Sequence, residues 1–419
     1  MQIKVQPYTK SYFASCAVGM EEVLSKEIQE LGGKEATLER GGVEFKGVTI
    51  TAIKVILHSR TASRVYKKLY STAIESEKNV FEMSKKIPWD SIFNLDQTFK
   101  IKALIGYGLQ NYYPNSFKNS IYLSQLLKDG IVDVFRNKYK ERPSVDTEKA
   151  NVNLLLRVAL ANKNVRSAIA SVYLDLCGNP MHQRGYRRNQ GEAPVKENMA
   201  AGMIKLMDWD HEKEIFIDSM CGSGTFLIEA ALIKYDIPAS FIKILKLKKN
   251  PDYKYWDFLG FKLFTEDQAL KDLFNNEIEI CRQKITSGYE KIKTSDPMLF
   301  GFDINTDVVK SCIENVESVT MSKAIKIKQI DSSTLKWDTE QKGVIFCNPP
   351  YGDRLGDSEK LEILYRNYGE NLKNNFKGFK AYIFTGNQDL KKSVLLDPSR
   401  KFPLFNGPIE CRLLKYDIY

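Results

Sequence analysis

Hydrophobic and polar positions alternate along this chain with two different periods, and their order separates a front part from a rear part. In the front part, Tyr12 to Cys16 is short and β-prone. Gly19 precedes a predicted helix over Met20 to Leu31, with Val23, Leu24, Ile28 and Leu31 on one face, and Gly32-Gly33 stops it. Leu38-Glu39 and Val43 to Phe45 flank a hairpin-like turn, Arg40-Gly41-Gly42. Phe99 to Ile105 reads as a strand. Ser120 to Phe135 reads as a helix with Ile121, Leu123, Leu127, Ile131 and Val134 turned inward. Asn153 to Ala161 and Ala168 to Leu174 are strands joined by a turn at Ala161 to Asn164. Arg60 and Arg64, with Lys67 and Lys68, are spaced as a basic helix face, best read as solvated.

From about Ala193 the pattern becomes β and α in alternation. Helix Pro194 to Leu206 leads into strand Ile215 to Asp218, a tight turn and helix Thr225 to Lys234. Then follow strand Leu299 to Asp303, helix Asp307 to Glu317, strands Ile325 to Ile330 and Lys342 to Cys347, helix Lys360 to Asn375 and strand Lys380 to Thr385. Such alternation predicts a parallel sheet covered by helices. Residues 238–296 interrupt it with lysines, then Tyr253, Tyr255, Trp256, Phe258, Phe261 and Phe264, then a charged helix. These aromatics are placed either to stack on bases or to pack as a lid on the sheet edge.

The chain has 419 residues, enough for two or three domains. No apolar run approaches the roughly 18 residues of a membrane span, and the first ten residues lack a signal-peptide core. The seven cysteines are dispersed with no C-x-x-C pair, and three scattered histidines make no metal site. A cytoplasmic protein without structural metal is the expectation. The net charge of +10 is uneven: residues 1–170 carry 26 Lys and Arg against 17 Asp and Glu, residues 171–419 carry 36 against 35. A polyanion drawn to the front and a basic solubility surface both fit that split.

The chemistry sits in the turns of the rear part. Asp218-Ser219-Met220-Cys221-Gly222-Ser223-Gly224-Thr225 is a buried strand running through a glycine turn into a helix, the place where a nucleotide-like ligand is wrapped. Asp303, before Ile304, ends the next strand and suits a ribose diol. Asp331, before Ser332, ends the following one and suits an adenine amino group. A helix N-cap is the plainer role for either aspartate alone. The third glycine of the dinucleotide fingerprint is replaced by Ile228, and no phosphate loop of the G-x-x-x-x-G-K type is present. An adenosine site without phosphates points to S-adenosyl-L-methionine.

Asn348-Pro349-Pro350-Tyr351 closes a further βα unit. An exocyclic amine on guanine or adenine is a poor nucleophile until acceptors hold its hydrogens. The Asn348 side-chain oxygen and the Pro349 carbonyl are such acceptors, Pro350 stiffens the loop, and Tyr351 offers a face to a swung-out base. Arg184, Tyr186, Arg187 and Arg188 lie at the joint of front and rear. They suit phosphate gripping and base stacking, or, alternatively, a linker whose arginines pair with nearby acids.

These segments resemble the THUMP-containing RNA methyltransferases, and within them the bacterial 23S rRNA guanine-N2 methyltransferases. The likeness rests on D-S-M-C-G-S-G-T, G-F-D-I-N and N-P-P-Y-G-D-R-L. Gly19 to Leu24, Arg40 to Phe45, His182 to Arg187, Ala193 to Asn198 and Asn406 to Pro408 extend it over nearly the whole chain. The resemblance implies an α/β fold: a Rossmann-like class I methyltransferase domain over 166–419, with 238–296 as insertion or lid. In front it implies an α+β ferredoxin-like domain over 1–69 and a THUMP RNA-binding domain over 70–165. It implies that Pro194, Lys196 and Glu197 line the cofactor site, and that the partner is 23S rRNA or a 50S assembly precursor. Many members carry a second methyltransferase domain making 7-methylguanine. Here no second glycine turn follows Cys411 to Leu414, so either a single-activity form or a piece cut at the domain border is expected. A tRNA guanine-N2 methyltransferase, an adenine-N6 DNA methyltransferase and a non-enzymatic assembly factor are the alternatives.

Overall fold

The computed structural model describes residues 9–162, 165–187, 195–251, 254–350, 358–387 and 389–419. The front part contains strands β1 (Lys10–Ser15), β2 (Lys34–Glu39), β3 (Gly42–Gly47), β4 (Arg64–Ile74), β5 (Phe99–Ile105), β6 (Val152–Asn162) and β7 (Val165–Asp175). Its helices are α1 (Glu21–Glu30), α2 (Thr49–His58), α3 (Lys78–Ser84) and α4 (Ser120–Tyr139). All seven strands form a single sheet, in the order β2-β3-β1-β4-β7-β6-β5, with only β5 and β6 parallel. The range boundary at 69/70 therefore falls inside β4, and the boundary at 165/166 falls at the first residues of β7, which pairs with β4.

This sheet is strongly curled. Glu39 on β2 meets Arg157 on β6 at 2.6 Å although the two strands stand five places apart in the sheet. In a flat sheet they would be separated by about 24 Å. Inside the curl Phe13, Tyr66, Leu155 and Tyr173 form their own apolar cluster, and Tyr173 donates to Glu44 at 2.7 Å.

The basic helix face expected at Arg60, Arg64, Lys67 and Lys68 does not exist. α2 ends at His58, Arg60 lies in a buried loop, and the other three sit on β4. Ile121, expected to face inward, is 69% exposed, because the buried face of α4 runs through Leu123, Leu127 and Ile131 and Ile121 lies off it. Lys163 and Asn164 of the predicted turn lie outside the described residues.

The rear part follows the expected alternation: α5 (Glu197–Leu206), β8 (Ile215–Asp218), α6 (Thr225–Lys234), α7 (Phe241–Lys249), α8 (Lys262–Thr265), α9 (Gln268–Thr294), β9 (Leu299–Asp303), α10 (Thr306–Ser318), β10 (Ile325–Gln329), β11 (Gly343–Cys347), α11 (Ser358–Asn375), β12 (Lys380–Thr385) and α12 (Leu390–Ser393). Two strands absent from the sequence reading, β13 (Arg400–Asn406) and β14 (Ile409–Asp417), close it as a hairpin. The sheet order is β10-β9-β8-β11-β12-β14-β13, parallel from β10 to β12 and antiparallel at β14 and β13. The chain leaves β8 towards one edge and returns to β11 on the other side. The switch point is thus between β8 and β11, where open α/β sheets bind ligands at their carboxyl ends.

The two parts share one apolar core, which includes Leu24, Phe45 and Leu57 from the front and Phe216, Leu227 and Ile244 from the rear. Residues 238–296 contribute to that union. Trp256, Phe258, Phe264 and Phe274 pack together, Phe258 N donates to Leu176 O at 3.2 Å, Lys262 reaches Asp90 O at 2.7 Å, and Glu277 on α9 meets His58 at 2.8 Å. Of the two roles open to these aromatics, packing is the one realised, and the surface packed is the front part, so the insertion braces the two parts together. Tyr253 lies outside the described residues.

Candidate active site

β8 is buried along its length, and the chain leaves it through Ser219 to Gly224 before α6 begins. Ser219 N and Oγ both donate to Phe346 O on β11, at 2.9 and 3.0 Å, which ties the turn to the neighbouring strand. Cys221 N donates to Phe302 O at 2.8 Å and Gly224 N to Cys221 O at 2.9 Å. Gly222 and Gly224 have φ of +52° and +82°, conformations that side chains resist. A Cβ on Gly224 would stand 2.6 Å from Cys312 Sγ, whereas one on Gly222 would meet nothing within 4 Å. One glycine is thus required by packing beneath the turn, and the other leaves open space above it.

Asp303 at the end of β9 accepts from Gly222 N at 3.1 Å with one oxygen and from Asn305 N at 3.0 Å with the other. It therefore holds the turn while remaining half-buried at the strand end. A carboxylate has about four acceptor positions, so lone pairs remain. Beside it Ile304 is 64% exposed, an apolar side chain offered at the mouth of the site. Asp331 accepts from Ser333 N and Oγ, both at 2.8 Å, and Ser332 is buried, its carbonyl accepting from Asn371 at 2.8 Å.

Two side-chain oxygens at the switch point have no hydrogen-bond donor among the described residues. Asp218 is 1% exposed, and its Oδ1 has no hydrogen-bond partner among the described residues. Burial pushes its carboxyl well above the usual range; a bond from Met220 N opposes this, and the nearby Asp303 charge adds to it. Asn348, immediately after β11, likewise carries a buried, partnerless Oδ1. A buried polar atom without a partner is costly, and two of them at the carboxyl ends of adjacent strands suit a ligand. Pro349 is buried and Pro350 exposed. Tyr351 and Pro194 lie outside the described residues, while Lys196 is exposed ahead of α5 and Glu197 is buried at its first position. The sequence-predicted cofactor residues from Asp218 to Thr225 thus converge with Asp303 and Asn348 on one edge of the sheet.

Arg184 and Arg187 of the joint take the structural alternative. Arg184, expected at an RNA surface, is 4% exposed. It donates to Met181 O at 2.7 Å and Arg60 O at 2.6 Å, and its Nε lies 3.5 Å from Glu229. Tyr186 is 1% exposed and donates to Glu229 at 3.0 Å. Arg187 donates to Thr225 Oγ1 at 3.0 Å and lies 3.4 Å from Glu197, joining the start of α6 to the start of α5. Neither Arg184 nor Tyr186 is available to RNA, because each satisfies buried acceptors. Arg188 lies outside the described residues.

The organising residue here, Glu229, was missed by sequence reasoning. A lone carboxylate within Phe226-Leu227-Ile228-Glu229-Ala230-Ala231-Leu232 was the available signal that a buried cation must face it. Arg60 completes the arrangement, donating to Leu232 O and Ile237 O at 2.9 Å each. His182, in the same joint, has its pKa pushed down to about 4, first by burial and then by the charges of Lys196, Arg184, Arg187 and Arg64.

Residues 184–415 match the family model described as RMKL-like, methyltransferase domain. Residues 11–66 match an RlmL ferredoxin-like domain and residues 75–162 a THUMP domain. The chain is similar to the ribosomal RNA large subunit methyltransferase K/L of Syntrophotalea carbinolica, 30% identical over 413 residues, 97% of this chain and 53% of that protein. It is also similar to the protein of that name from Desulfotalea psychrophila, 33% identical over 412 residues, 96% of this chain and 52% of that protein. The chain therefore spans about half the length of the curated relatives it matches. Among solved structures, SMU.472 complexed with SAH is 27% identical with a TM-score of 0.77, each chain covered to 99%. A protein from Clostridium difficile 630, 24% identical, shares the fold with a TM-score of 0.79 over 98% of this chain and 99% of that one.

Proposed function

The chain belongs to the RMKL-like methyltransferase family, and from that premise we propose that it methylates the exocyclic N2 of a guanine in 23S rRNA, the position numbered G2445, using S-adenosyl-L-methionine. The observation that carries this reading is the buried Oδ1 of Asn348 at the switch point, which has no hydrogen-bond partner among the described residues. An amide oxygen there is an acceptor awaiting a donor, and an exocyclic amine supplies one. When bound, the cofactor supplies a methyl group on a sulfonium, activated for direct displacement.

The chain's own residues supply position and electrostatics. Asp218, with its open Oδ1, suits the cofactor's ammonium. Asp303 suits the ribose hydroxyls, and Ile304 an apolar face of the adenine. Asn348 Oδ1 and the Pro349 carbonyl accept the amine's hydrogens, which draws the nitrogen lone pair out of the ring and aligns it with the methyl carbon. Holding those atoms in line is the principal catalytic effect, since a positioned pair reacts as a unimolecular unit. The division of labour follows the ranges 1–69, 70–165 and 166–419. The first two, with the excess of Lys and Arg, carry RNA affinity; β7 belongs to the last range but completes the front sheet. The target base must be swung out of its stack to reach the loop after β11.

The test is to incubate the protein with labelled cofactor and undermodified 23S rRNA, digest the RNA and identify the product nucleoside by mass. N2-methylguanosine at one site is the expected product. Methyladenosine as the product, or no label in the 23S rRNA, would point to a different acceptor and end this reading.

A further inference from the structure

Arg40 sits at the turn between β2 and β3, exposed, with its guanidinium carbon 5.5 Å from the ring centre of Tyr107 and 5.2 Å from that of Phe405. Three distant parts of the chain meet there. Arg40 comes from the first hairpin, Tyr107 follows β5, and Phe405 lies on β13 of the methyltransferase sheet. The curl of the front sheet makes this possible, because it brings the turn beside one edge strand next to the end of the other.

The arrangement is held from beneath. Glu21 accepts from Gly19 N at 2.7 Å and Gly41 N at 2.8 Å, which fixes the Arg40 turn. Phe405 N donates to Val18 O at 3.2 Å, and a Cβ on Gly19 would come within 2.4 Å of Pro403 O, so the β13–β14 hairpin is seated closely on the front part. The nearby carboxylates are engaged: Glu39 with Arg157, Glu21 with the two amides, Glu410 with Arg412. Arg40 itself has no ion pair or hydrogen bond among the described residues. Two rings flank its guanidinium, and no described residue accepts a hydrogen bond from it. Tyr107 is 91% exposed, so packing does not account for its position.

The location matters as much as the chemistry. β14 runs antiparallel to β12, with Thr385 opposite Arg412, so the turn at Asn406 to Ile409 projects beyond the carboxyl end of β12. That is the edge on which Asn348 follows β11. From β11 to β13, which carries Phe405, is three strand spacings, about 14 Å. We propose that Arg40, Tyr107 and Phe405 form a stacking platform for an unpaired nucleotide of the RNA strand that carries the target base. The exposed ring stacks the base, and the guanidinium, oriented by the two rings, grips the adjoining phosphate through its free N–H edge. The inference rests on the RNA reading given above and names where that RNA lies outside the reacting site.

The test uses the full chain without cofactor and an unstructured, guanine-free RNA of about 12 nucleotides carrying a central 2-aminopurine, whose fluorescence falls on stacking. Wild-type protein quenches the probe. Tyr107→Ala and Arg40→Ala each weaken binding about tenfold and lose most of the quenching. Tyr107→Phe keeps both, and Arg40→Lys, with charge but no planar fork, behaves like Arg40→Ala. Lys293→Ala, a charge removed from exposed α9, changes affinity less than about twofold, which separates stacking from general attraction. Tyr107 is exposed, so its replacement leaves the fold intact. The platform is overturned if wild type fails to quench the probe, or if Tyr107→Ala quenches as wild type does. A protein that quenches the probe yet makes no N2-methylguanosine overturns the function proposed above and leaves the platform standing.

Discussion

Replacing Arg184 by Met is the perturbation that separates a buried strut from an RNA-gripping arginine. Arg184 is 4% exposed and donates to two carbonyls, Met181 O at 2.7 Å and Arg60 O at 2.6 Å, while its Nε stands 3.5 Å from a Glu229 that is 0% exposed. Each hydrogen bond from a charged donor contributes about 1.5–3 kcal/mol. Removing one member of a buried pair costs about 3–5 kcal/mol, because the remaining charge is left without compensation. Arg60 and the Tyr186 hydroxyl still face Glu229, which offsets part of the loss. The expected destabilisation is therefore about 3–5 kcal/mol, read from urea unfolding followed by tryptophan fluorescence, with the slope unchanged. At low temperature, where the variant stays folded, its RNA affinity in filter binding should match wild type within about twofold. A loss of stability below about 1 kcal/mol together with weakened RNA binding would refute the buried-strut reasoning.

Asp303→Ala should weaken S-adenosyl-L-methionine binding by about 1.5–3 kcal/mol in calorimetry; an unchanged dissociation constant would leave Asp303 with only its bonds to Gly222 N and Asn305 N. His182 is held down to about 4 against an ordinary value near 6.5. The folded state thus resists its protonation, and the stability it contributes is present above about pH 6.5 and lost as pH falls towards 4. His182→Asn should flatten that part of the melting temperature's pH profile, and superimposable profiles would contradict the assignment.

The rear part was largely legible because a doubly covered parallel strand must be apolar throughout. Ile215 to Asp218, Leu299 to Asp303 and Lys380 to Thr385 are found where the pattern placed them. The glycine turn, the two aspartates and Asn348 were readable for a related reason: each ends or closely follows a parallel strand of that sheet, β8, β9, β10 and β11 in turn. What failed was whatever depended on distant pairing. The spacing of Arg60, Arg64, Lys67 and Lys68 fits a helix face, but Arg64 to Ile74 alternates as a strand, and its partner β7 lies about a hundred residues away. The signal for the hairpin of β13 and β14 is the run of alternating residues around Asn406-Gly407. The burial of Arg184 and Arg60 was not local information either, since it follows from Glu229, a single charge on an otherwise apolar helix.

The most direct measurement is single-turnover methyl transfer by Asn348→Ala on undermodified 23S rRNA, with cofactor affinity measured on the same protein. Asn348 Oδ1 is a buried acceptor that holds no protein donor among the described residues, so its loss should be felt in the transition state. The expected result is a rate lowered by at least about a hundredfold, the scale of removing one preorganised hydrogen-bonding group, with the dissociation constant for S-adenosyl-L-methionine unchanged. A rate within a few fold of wild type would contradict the account.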